Sequence, residues 1–139
     1  MHFLNQSEAL CYILLISIST EAPNNILIQK IGDASTDIIA AAGEDLELEC
    51  IATGANPPAK LMWYMDDEMI SSGHSQEDTR QENSNNQQRT WSSISRLTLP
   101  VSKDDNGAQI SCVATHPALE DDESLSTLKP LTIHCKSDF

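Results

Sequence analysis

The side chains able to do chemistry in this chain are four cysteines, four histidines and 21 carboxylates, and their spacing decides which chemistry is open to them. No two cysteines lie two to four residues apart, and His2, His74, His116 and His134 are scattered, so no zinc set is expected. A catalytic nucleophile needs a base and a group that orients it, and no such constellation accompanies any histidine. His116, beside Pro117, reads as a structural loop histidine. The five glycines form no phosphate-binding loop. Glu120-Asp121-Asp122-Glu123 carries the hard oxygens that calcium prefers. Consecutive side chains on an extended loop point alternately, however, and a solvated acidic loop is the better reading. Asp66-Asp67-Glu68 reads as a turn, and Lys103 with Asp105 as an exposed corner ion pair worth little. No cofactor, metal or small-molecule substrate is expected, and no enzyme.

The cysteines point to covalent structure instead. Cys50 and Cys112 stand 62 positions apart with Trp63 between them. That order is the signature of two β-sheets clamped face to face by one disulfide, with an indole packed on the bridge. Closing a loop of this size contributes on the order of 4 kcal/mol through the unfolded state. Cys135 is then the odd thiol. It bridges to another chain, pairs with Cys11, or belongs to sequence beyond a splice boundary.

The elements that must position these residues are short strands. Ile26-Leu27-Ile28 begins the first, and Asp37-Ile38-Ile39-Ala40 continues it after a break at Gly32-Asp33. Leu46, Leu48, Cys50 and Ala52 alternate with Glu47, Glu49 and Ile51, the period of a half-buried strand. Gly54 to Pro58 stops it. Leu61, Trp63 and Met65 face inward on the next strand, which leaves Met62 and Tyr64 facing out, followed by a short segment at Met69-Ile70. Residues 71–89 are almost devoid of apolar side chains and read as a flexible excursion with room for one weak edge strand. Leu97, Leu99 and Val101 form one buried face, and Ile110, Cys112 and Ala114 the next. Leu131 and Ile133 are the inward residues of the last strand. The expectation is an all-β sandwich of about seven antiparallel strands with one inter-sheet disulfide. Its core includes Leu48, Trp63, Leu97, Leu99 and Ile110.

Composition narrows the setting. An apolar fraction of 40% supports a packed core, while 4% aromatic residues leave that core to Leu, Ile, Val and Ala. Acidic residues outnumber basic ones by 21 to 8, and a net charge of −13 disfavours nucleic acid and anionic lipid. Residues 1–19 read as an export signal: the apolar run from Ala9 to Ile18 falls short of the roughly 20 residues a membrane span requires. A domain over residues 20–135 and a short tail over 136–139 follow.

The stretch from Asp105 to Leu119, the run Gly43-Glu44-Asp45-Leu46-Glu47-Leu48-Glu49-Cys50 and the pair Trp63-Tyr64 resemble the second, constant-like immunoglobulin domain of nectin and nectin-like adhesion molecules. The likeness runs from about Ile26 to His134, and its most telling part is His116-Pro117-Ala118-Leu119. Many immunoglobulin domains place a tyrosine two residues before the second cysteine; here Ile110 stands there, as in constant-like second domains of nectin-type proteins. The resemblance implies a non-enzymatic module of an extracellular or cell-surface recognition protein. Its partners would be other cell-surface proteins, of the same superfamily. From their outward phase, Met62 and Tyr64 are either the partner-contact residues or residues covered by the 71–89 excursion or by an adjoining domain. In such proteins an outer variable-type domain carries trans adhesion, and a third domain and membrane span follow. A leader joined directly to a second-type domain and ending at Cys135-Lys136-Ser137-Asp138-Phe139 resembles a truncated gene model or a secreted splice form. The alternative function is accordingly a secreted decoy or immune-type ligand.

Overall fold

A computed structural model describes residues 20–33, 35–81, 89–119 and 123–135. The export segment, the acidic run from Glu120 to Asp122 and the tail beyond Cys135 lie outside the described residues.

Among the described residues nine strands form two sheets. In chain order they are β1 (Asn25–Lys30), β2 (Ile38–Ala41), β3 (Asp45–Ala55), β4 (Lys60–Met65), β5 (Glu68–Ile70), β6 (His74–Gln81), β7 (Thr90–Pro100), β8 (Gln109–Thr115) and β9 (Leu125–His134). One sheet has the order β1-β3-β7-β6 and the other β2-β9-β8-β4-β5. The ladders are antiparallel except β2 on β9, which is parallel.

Two features differ from the sequence expectation, and one that it left open is decided. The strands number nine rather than about seven, because β2, β5 and β6 are short or polar pieces that carry weak periodicity. Ile38–Ala41 does not continue the first strand in place but crosses to the opposite sheet, where it pairs with β9. A chain crossing at a sheet's edge runs in whichever direction the crossing delivers it, so one parallel pair appears. The edge strand for which the polar stretch left room is β6, which pairs with β7 over His74–Gln81 although every one of its residues is exposed. Backbone pairing along an edge needs no apolar face.

The core lies between the sheets. Ile28, Leu46, Leu48, Leu97, Ile110 and Leu131 are nearly or fully buried there, with Trp63 at 0% exposure. Alternation along β3 places Leu46, Leu48, Cys50 and Ala52 inward, and the glutamates between them outward. Gly54 has φ +87° and lies where the β3–β7 register shifts; a Cβ there would meet Asn24 at 2.7 Å, so the kink demands glycine.

Candidate functional site

Cys50 on β3 and Cys112 on β8 are joined by a disulfide with S–S 2.07 Å, covalently linking the two sheets through the core. Trp63 sits directly across the ladder from Cys112. Its Nε1–H donates to Ser95 Oγ at 2.9 Å, a hydroxyl on the opposite sheet. The indole thus satisfies its one polar atom inside the core and joins β4 to β7 by a second, noncovalent link. Sequence reasoning placed the tryptophan but missed Ser95; a serine in the inward phase of a strand was the available signal.

His116 is 7% exposed and holds two loops together. Its Nδ1 accepts from Ala118 N at 3.0 Å, so the other ring nitrogen carries the proton and donates to Pro57 O at 2.8 Å. The histidine of the His-Pro-Ala-Leu run therefore fastens the loop after β8 to the loop before β4. Asp105, at the corner before β8, accepts from Ser102 N through Oδ2 at 2.8 Å, so its carboxylate is engaged with Ser102 and not with Lys103 as expected. Cys135 is exposed and unbridged. Among the described residues no group of His, Cys, Asp and Glu is placed to hold a metal ion. No helix of the described residues is long and apolar enough to cross a membrane.

Met62 and Tyr64 lie on the outward face of the five-stranded sheet, half-buried among their neighbours. The register assembles a patch around them that the sequence did not disclose. One row across four strands is Met69, Tyr64, Ser111 and Leu128; the next is Met62, Val113 and Ser126. Met69 is 54% exposed and Leu128 60%. Between these rows lies a shallow groove of about 390 Å³, lined by Tyr64, Asp67, Ser111, Val113, Ser126 and Leu128. Neither row contains a charged residue; the nearest on this face are Lys60 at one end and Asp67 at the groove's rim.

The outward face of the other sheet is of opposite character. Asp45, Glu47 and Glu49 project from β3, and Glu77 from β6, where it pairs with Arg96 at 3.2 Å. The sandwich has one acidic face and one whose two central rows carry no charge. Alternation explains both, because the solvent phase of β3 opens with Asp45, Glu47 and Glu49, while in the middle of β4, β8 and β9 it is Met62, Tyr64, Ser111, Val113, Ser126 and Leu128.

A disulfide-stapled, two-sheet sandwich of this topology is an immunoglobulin-like domain. Residues 31–123 match the CD80-like C2-set immunoglobulin domain, and the chain belongs to that family. It is 33% identical to cell adhesion molecule 4 of Xenopus laevis over 81 residues, which cover 58% of this chain and 19% of that protein. It is 32% identical to human nephrin over 74 residues, covering 52% of this chain and 6% of nephrin. The full ectodomain of mouse nectin-like molecule 4 superposes with TM-score 0.63 at 26% identity, over 82% of this chain and 35% of that one. The Rst D1-D2 structure shares the fold, with TM-score 0.63 at 23% identity, over 81% of this chain and 49% of that one. The aligned part thus spans a fifth or less of each of these two sequence relatives. These similarities make the chain an immunoglobulin-like domain homologous to cell-surface adhesion proteins.

Proposed function

We propose that this domain is a non-enzymatic extracellular recognition module that binds other cell-surface immunoglobulin-type proteins through the outward face of β4, β8 and β9. The observation that carries this reading is the pair of uncharged rows bearing Met62, Tyr64, Met69, Val113 and Leu128, on a chain whose net charge is −13. Large side chains on a rigid sheet lose little freedom on contact and bury much area, which makes them effective anchors. The disulfide and the Trp63–Ser95 bond hold that sheet to its partner sheet, so the face is presented preformed. The domain boundaries proposed are residues 20–135, with residues 1–19 as the export signal. The adhesion relatives support the choice of partner class.

The test is multivalent display of the secreted chain on beads, offered to cells that each express one surface immunoglobulin-type protein. Binding to a subset of those cells, weakened by Met62→Glu, is the expected result. Uniform failure across the set, with the displayed chain folded and disulfide-bonded, overturns the reading.

A further inference from the structure

Three of the chain's four methionines fall within residues 62–69, and the sheet sorts them by access to solvent. Met69 stands opposite Tyr64 on β5, the edge strand of its sheet, and is 54% exposed. Met62 shares the outward face with Tyr64 and is half-buried. Met65 has the inward phase of Trp63 and packs against the core. We infer that Met69 is a site of reversible oxidation by peroxide, and that its sulfoxide switches the recognition face off. The inference rests on the face proposed above and names a control upon it.

A thioether needs no activating base, so access of the oxidant to sulfur decides which methionine reacts. β5 pairs with β4 alone and carries only three residues, so no further strand shields Met69. The sulfur lone pair attacks one peroxide oxygen; an S–O bond forms and the O–O bond breaks. Sulfur gives up two electrons, and the departing hydroxide takes the proton of the attacked oxygen and leaves as water. Nothing else is consumed, and no net charge is added to a chain already at −13. The product is a polar sulfoxide where the contact needs an apolar side chain. Against an apolar partner surface its oxygen is left without a hydrogen bond, and that cost weakens binding. A bound partner covers Met69, so the free domain is the form that reacts.

The experiment displays the secreted full chain on beads with Cys135→Ser, which removes the exposed thiol as a competing target. Graded hydrogen peroxide is applied, and fragment-ion mass spectrometry places each added oxygen. No Lys or Arg lies between Lys60 and Arg80, so one tryptic peptide holds all three methionines. Met69 should react first, Met62 later and Met65 last. Once Met69 is converted, binding to the cells that captured untreated beads should fall by about tenfold or more. The melting midpoint of the same chain treated in solution should stay unchanged. Methionine sulfoxide reductases of both epimer specificities should restore binding. Met69→Gln, polar and uncharged like the sulfoxide, should weaken binding without oxidant. Met69→Leu, whatever its own starting level, should lose nothing further at the same dose. Met65→Leu should neither weaken binding nor spare the chain from peroxide. Oxidation of Met65 before Met69, a loss of binding that tracks a fall in melting midpoint, or an equal loss in Met69→Leu overturns the proposal. Binding that survives conversion of Met69 overturns this control and leaves the recognition reading standing, whereas untreated beads that bind no cell overturn both.

Discussion

Ser93 and Ser95 stand two positions apart on β7, both inward and both buried, yet their hydroxyls have opposite roles. Ser95 Oγ accepts the indole N–H of Trp63, whereas Ser93 Oγ is the one buried side-chain oxygen or nitrogen without a partner among the described residues. Removing an acceptor strands a buried donor, while removing an unpaired hydroxyl relieves a desolvation cost. Ser95→Ala should therefore lower unfolding stability by about 1–3 kcal/mol, and Ser93→Ala should raise it by about 1 kcal/mol, both read from urea denaturation. The difference was hidden in the sequence: both serines have the same phase and similar neighbours, and only the position of the indole separates them. His116 is a similar case. Its loop placement was legible, but its second bond, to Pro57, joins residues 59 positions apart.

Gln76 shows how an element can be held by a single side chain. Only residues 63–65 of β4 pair with β5, so the start of β4 has an open edge. There Gln76 of β6, from the other sheet, donates through Nε2 to Ala59 O at 2.7 Å and accepts Leu61 N–H at its Oε1 at 3.0 Å. Its amide thus replaces a missing neighbour strand and closes one side of the sandwich. On the other side Lys129 of β9 donates to Ile28 O of β1 at 2.8 Å. Gln76→Ala should cost about 1 kcal/mol and speed hydrogen exchange at the Leu61 amide, with β8 amides unaffected. The hairpin between β4 and β5 offers a gain instead. Asp66 and Asp67 both have positive φ, 48° and 68°, in a two-residue turn where Asp-Gly is the favoured pair. Asp67→Gly should raise stability by about 0.5–1 kcal/mol, measured by the shift of the melting midpoint. The turn itself was legible from two acidic residues in succession. The order of β6 was not, because a strand held by its backbone and one amide leaves no apolar period to read.

For the whole molecule, the disulfide constrains the unfolded chain across a separation of 62 residues. Its removal by Cys50→Ala with Cys112→Ala should cost about 4 kcal/mol, a large part of the 5–15 kcal/mol that holds a small domain. Calorimetry should show the midpoint falling while the Trp63 fluorescence of the surviving folded state stays native-like, because the Ser95 bond still positions the ring. The segregation of charge also belongs to this scale. Four carboxylates on one outer face and none in the central rows of the other are a property of the assembled sandwich, not of any one strand.

The sandwich class, the bridge, the inward phases of β3, β4, β7 and β8, and the outward placement of Met62 and Tyr64 all followed from local order along the chain. An alternation of period two tells which side of a strand each residue occupies. What lies beside a residue on the neighbouring strand is set by register, and register comes only with tertiary pairing. That is why Met69, Val113 and Leu128, the crossing of β2 to the second sheet, and the partners of Trp63, Gln76 and His116 were decided by the fold alone.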